Sequence, residues 1–170
     1  MLVKDELRAE IIQTRAAFHE LLAQIPDEAF SMPSENPAWT IGEVLFHMSL
    51  APRFMVTDLK AIISRPWLAR IFTALVPDAL FHRINERFTR YGARNLNRKF
   101  LAEQYDRAHD RALKTLETLQ ESDLQKSVEY PGYDPLLSGT VTVERLYRYV
   151  KLHFDIHAGQ IRERVGRILV

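Results

Sequence analysis

The chain has 170 residues, is 46% hydrophobic and 26% charged, contains no cysteine and carries a formal net charge of +1. Its length suits one domain spanning 1–170. The near-neutral balance argues against nucleic acid as a partner, and the lack of cysteine removes disulfides, thiolate metal sites and cysteine nucleophiles. Glycine is scarce, with six residues, while helix-favouring Leu, Ala, Glu, Arg and Lys abound, so an all-α fold is expected.

Residues 3–25 carry apolar side chains at Val3, Leu7, Ile11, Phe18, Leu21, Leu22 and Ile25, steps that trace one face of a helix ended by Pro26. Charges interrupt "MLVKDELRAEIIQ", so it does not read as a signal peptide. No apolar run reaches the roughly 18 residues of a membrane span. A cytoplasmic protein without stable membrane insertion is expected. "SMPSENPAW" reads as a loop, and "TIGE" from Thr40 to Glu43 as a capping box opening a second helix to about Ser64. Pro52 within it predicts a kink.

Residues 65–95 stand apart, as a basic amphipathic crossover insertion split near Pro77. Between Lys60 and Phe100 nine Lys or Arg face two Asp or Glu, a local net of +7 against −6 for the remainder. Trp67, Leu68, Ile71, Phe72 and Leu75 form an apolar strip with arginines at hand, the pattern of an interfacial helix. A third long helix is expected over about 97–120. The stretch "ESDLQKSVEYPGYDPLLSGT" reads as a loop, and a last helix starts near Thr142 with Val143, Leu146, Val150, His153, His157 and Ile161 inward. Four long amphipathic helices make a four-helix bundle, and the long second connection permits parallel packing of helices two and three.

His153 and His157 thus lie one turn apart on the core stripe. Neutral imidazoles so placed can share a metal ion, although an HxxxH spacing alone also arises in ordinary cores and surfaces. His47, on the inward face of helix two, is the candidate third ligand. Were both helices to start at the same end, the three rings would meet at mid-depth. Three histidines with positions left for water match catalytic rather than structural sites. Glu43, one turn before His47, is a candidate general base or fourth ligand, but its capping role accounts for it without chemistry. His19 reads as a boundary residue, His82, His109 and Asp155 as surface residues. HExxH and paired ExxH motifs are absent, against zincins and di-iron carboxylate bundles.

"AWTIGEVLFHM" and "LHFDIHAGQI" together resemble the signatures of the DinB/YfiT-like superfamily: a Trp and a Thr at a helix start with a histidine eight residues after the Trp, then two histidines four apart followed by Gln. The resemblance runs through the whole chain in helix order. It implies an up-down-down-up four-helix bundle, to which the residues of the crossover add a helical segment of their own, and a divalent metal (Zn, Ni or Mn) on His47, His153 and His157. It also implies metal-dependent transfer or isomerisation with a low-molecular-weight thiol such as bacillithiol or mycothiol, or hydrolysis, on a small-molecule substrate, and often a homodimer. The +7 connection and Tyr130 with Tyr133 are candidates for the substrate mouth, against solvated or dimer-interface arginines. The alternative is a non-enzymatic helical-bundle protein whose 65–95 segment meets a partner subunit or a membrane surface.

Overall fold

The structure, a computed structural model, describes residues 2–64, 67, 77–94, 96–134 and 136–168, with the side chains of Ala61, Asp78, Pro131, Tyr133 and Ile168 outside the description. Leu68, Ile71, Phe72 and Leu75 of the expected apolar strip lie outside the described residues, as does the Tyr133 side chain proposed for the mouth.

Helix α1 (Val3–Gln24) buries Leu7, Ile11, Thr14, Phe18, Leu21 and Leu22, the stripe its periodicity predicts. A 3-10 turn (Asp27–Ser31) follows Pro26. Helix α2 (Ile41–Met48) opens on the expected capping box: the Glu43 amide donates to Thr40 Oγ1 at 3.2 Å and the Thr40 amide to Glu43 Oε2 at 2.7 Å. The kinked single helix through Pro52 is not what forms. The chain breaks at Ser49 and restarts as α3 (Leu50–Ser64). Pro52 has no N–H for the Met48 carbonyl and its ring crowds that oxygen. The Ser49 amide and hydroxyl both donate to Phe46 O instead, at 2.9 and 2.7 Å.

Within the crossover, α4 (Asp78–Gly92) starts directly after Pro77, and α5 (Arg98–Thr118) starts at Asn97, whose side chain accepts from the Phe100 amide at 2.8 Å. The expected loop before the last helix is instead a 3-10 turn (Glu121–Gln125) and an antiparallel hairpin, β1 (Ser127–Asp134) with β2 (Leu137–Thr142), leading into α6 (Val143–Ile168). Val128 pairs with Val141 and Tyr130 with Gly139; the register then shifts before Asp134 pairs with Leu137. Pro131 falls inside that shift and has no N–H to give to a ladder. Gly139 holds φ 68°, where a side chain would be strained.

Two apolar clusters fix the helix directions. One joins Phe18 and Leu21 of α1, Leu45 and Met48 of α2, Leu101 and Tyr105 of α5, and Phe154, Ala158 and Ile161 of α6. The other joins Leu7 and Ile11, Met55 and Leu59, Ala112 and Leu116, and Val143, Leu146 and Val150. Passing from the first cluster to the second, residue numbers rise along α2–α3 and α5 but fall along α1 and α6. The bundle therefore runs up-down-down-up. The long crossover makes the two parallel neighbours reachable.

The crossover is anchored by its own cations. Arg90 donates to Ala38 O through Nε at 3.2 Å and Nη2 at 2.8 Å. Arg98 donates to Leu22 O and, at 2.7 Å, to Ile25 O, and pairs with Asp27. Part of the basic run thus ties α4 to the loop before α2, and α5 to the end of α1 and the turn after it. Gly92 permits the close approach of α4 to α2: a Cβ there would run into the Phe46 ring.

Candidate metal centre

His47 is the penultimate residue of α2, and His153 and His157 lie one turn apart on α6. The expectation that both helices start at the same end is corrected, since α2 and α6 are antiparallel. The rings still meet, because α6 is long enough for its central turns to pass the end of α2. His153 is buried, His47 largely buried and His157 half-buried. One ligand nitrogen from each lies within 4.8 Å of the others. The Nε2 atoms of His47 and His153 are 3.2 Å apart. Two nitrogens held at about 2.0–2.1 Å by one tetrahedral ion would be about 3.3 Å apart, so this pair already has the separation of a shared ion. Among the described residues, these three are the group of His, Asp and Glu that could hold a metal.

The surroundings keep the imidazoles neutral, with lone pairs available. Burial, followed by the neighbouring His157, lowers the His47 pKa to about 3. Burial and the other two histidines push His153 well below its ordinary value. Burial also lowers His157, against the opposing hydrogen bond to Gln160. Neutral histidine is the form a cation requires.

Two outer contacts orient the rings. His157 Nδ1 lies 3.0 Å from Gln160 Oε1; an Nδ1–H donated there would leave the Nε2 lone pair available. His47 Nδ1 lies 3.5 Å from the buried Thr89 hydroxyl on α4. The indole of Trp39 is 4.6 Å from the His47 ring, and Tyr149 5.4 Å from His153, centroid to centroid. His153 Nδ1 is buried without a partner among the described residues. Tyr130 donates to Asp58 and Tyr149 to Asp134, pinning the hairpin across α3 and α6 beside the site.

Glu43 stands apart from the histidine group, with its carboxylate engaged in the α2 cap and lining a separate cleft with Phe30, Ala93 and Leu96. His19 is exposed and bonds Asp106 at 2.7 Å; Asp155 is exposed and pairs with Lys151. His109 is not a surface residue. It is 0% exposed, stacked on Tyr105 at 4.1 Å, and its Nδ1 meets Tyr105 O at 3.0 Å. It sits four residues after inward-facing Tyr105, a periodicity that would have placed it correctly. Thr89 had no such signal; its role comes from a contact 42 residues away.

The fold is a four-helix bundle in which three histidines on two helices form a group that could hold a metal ion. The chain belongs to the DinB superfamily, whose family model matches residues 10–161. Among solved structures, YfiT from Bacillus subtilis, described as a probable metal-dependent hydrolase with an unusual four-helix bundle topology, aligns with a TM-score of 0.69 at 17% identity, over 96% of this chain and 87% of that one. A mycothiol-dependent maleylpyruvate isomerase aligns with a TM-score of 0.70 at 12% identity, over 95% of this chain but 63% of that one, so the chain spans less than two thirds of its length. An uncharacterized protein from Clostridium difficile 630 aligns with a TM-score of 0.67 at 14% identity, over 98% and 97%. At these identities the likenesses establish the fold. No curated protein matches significantly in sequence. Among the described residues, no helix is long and apolar enough to cross a membrane.

Proposed function

We propose that the chain is a metal-dependent enzyme in which His47, His153 and His157 hold a divalent ion, Zn, Ni or Mn, for transfer or isomerisation involving a low-molecular-weight thiol, or for hydrolysis. The observation that carries this reading is the convergence of three neutral ligand nitrogens within 4.8 Å. A bound divalent cation would supply a Lewis acid that stabilises the deprotonated form of water or a thiol near neutral pH. The protein's own residues do the rest. Gln160 and Thr89 hold the ring orientations of His157 and His47. Trp39 and Tyr149 wall the site against bulk water. Glu43 remains a candidate base only if it leaves its cap. The names of YfiT and of the mycothiol-dependent isomerase support the chemical class without choosing between hydrolysis and thiol chemistry.

Elemental analysis of protein purified without a histidine tag tests this: about one equivalent of metal is expected, and none in His153→Ala. Unchanged metal content in that variant defeats the assignment. A thiol-transfer and hydrolase screen of the loaded protein then separates the reactions.

One observation favours a second reading, an interaction protein. Leu80, Ile84, Phe88 and Tyr91 are exposed along one face of α4, with Phe54 of α3 beside Phe88 at 5.7 Å and exposed Arg83 and Arg87 flanking them. Co-sedimentation with anionic vesicles at low salt tests a membrane surface, and the mass in solution tests a homodimer. A monomer that stays in the supernatant rejects both versions.

A further inference from the structure

Beside His157 opens a cleft of about 160 Å³, whose walls include Trp39, Asn36, Gln160 and Arg164. A cavity of about 150 Å³ holds a benzene-sized guest. Its apolar wall is Ile41, Val44 and Ile161. Its polar wall is an excess of unused donors. Arg164 makes one hydrogen bond among the described residues, from Nε to Pro33 O at 2.9 Å, leaving its terminal nitrogens free. Gln160 spends its oxygen on His157 and keeps its amide N–H groups. Asn36 likewise spends Oδ1 on the Ala38 amide. The Trp39 indole N–H has no partner among the described residues, but that atom is itself buried and offers the cleft no donor. The one carboxylate in the lining, Glu35, is paired with Arg167 at 3.3 Å.

Donors without acceptors, one of them a guanidinium fork, call for an anionic acceptor. His157, Gln160 and Arg164 follow at steps of three and four on α6, so they share a face. We infer that this cleft binds the carboxylate of a small apolar acid, gripped by Arg164 with Gln160 and Asn36, so that the body of the acid lies against Ile41, Val44 and Ile161 next to His157. Arg164 is thereby a specificity-determining residue. The inference rests on the preceding reading only in taking His157 as the reacting end.

Trp39 reports on the cleft once the exposed Trp67, the other tryptophan of the chain, is replaced by Phe. In that background, benzoate and its neutral isostere benzamide are titrated against indole emission, with and without zinc. Benzoate is expected to bind at least about tenfold more tightly than benzamide, a gap of about 1.4 kcal/mol. The gap should close in Arg164→Gln and persist in Arg164→Lys, with zinc content unchanged in both. Equal affinities, no response from either probe at tens of millimolar, or a gap that survives Arg164→Gln overturns the inference. Discrimination in a protein that binds no zinc leaves the cleft standing and removes the metal reading; zinc without discrimination does the reverse.

Discussion

Replacing His153 by Leu separates the demands of the site from those of the fold. His153 is 5% exposed, its Nδ1 has no partner, and its Nε2 meets only His47 Nε2 at 3.2 Å among the described residues. A buried polar atom left unpaired costs about 1–3 kcal/mol, and a neutral hydrogen bond contributes about 1 kcal/mol. Leucine fills similar space and removes both. Relief of about 2 kcal/mol at Nδ1 is offset by the lost bond and by the His47 Nε2 left unpaired, so the metal-free variant stays within about 1 kcal/mol of the parent. For a chain of this size, that keeps the two Tm values within about 2–4 °C. Zinc at about 100 times its Kd should stabilise the parent by about 2.7 kcal/mol through mass action and the variant not at all. The two proteins thus part only when metal is present. Calorimetric melts of both proteins in each condition measure it. A variant that melts far below the parent in chelator, or one that still gains from zinc, refutes the reasoning.

Gly92→Ala would drive a methyl into the Phe46 ring and push α4 from α2, costing about 1–3 kcal/mol by chemical denaturation. It should also loosen Thr89 from His47 and weaken metal binding. Gln160→Ala frees the His157 ring and should lower zinc affinity by about 10–100-fold in calorimetric titration, with little change in the apo melt. His109 gives a pH signature away from the site. Burial depresses its folded pKa to about 4, against the usual 6.5 when unfolded. Between those values the unfolded chain binds more protons, so this contribution is complete above about pH 6.5 and is lost as pH falls toward 4. About 3 kcal/mol is at stake. His109→Phe should flatten the stability profile over that window; an unchanged slope would show that His109 is not buried neutral.

Much of this protein is written in periodicity. The apolar steps of α1 and α6 reproduce the buried faces, and the Thr40–Glu43 box marks the true start of α2, because caps and amphipathic stripes are local consequences of side-chain chemistry. His153 and His157 were legible as inward for the same reason. The hairpin was not: "SVEYPGYD" carries Pro and Gly that signal a turn, and only pairing with Leu137–Thr142, the Tyr130–Asp58 bond and the Tyr149–Asp134 bond give it form. Nor does a hydrophobic pattern specify that α2 stops at Ser49.

The sequence by itself determined which faces of the helices are apolar and which histidines lie on them. Tertiary structure alone decided that α2 meets α6 antiparallel, that Thr89 closes over His47, and that Gln160 and Arg164 edge a cleft beside His157. Facing is set by the helical repeat within a few residues, whereas convergence depends on helix directions and on contacts between residues tens to more than a hundred positions apart, which only the packed bundle brings together.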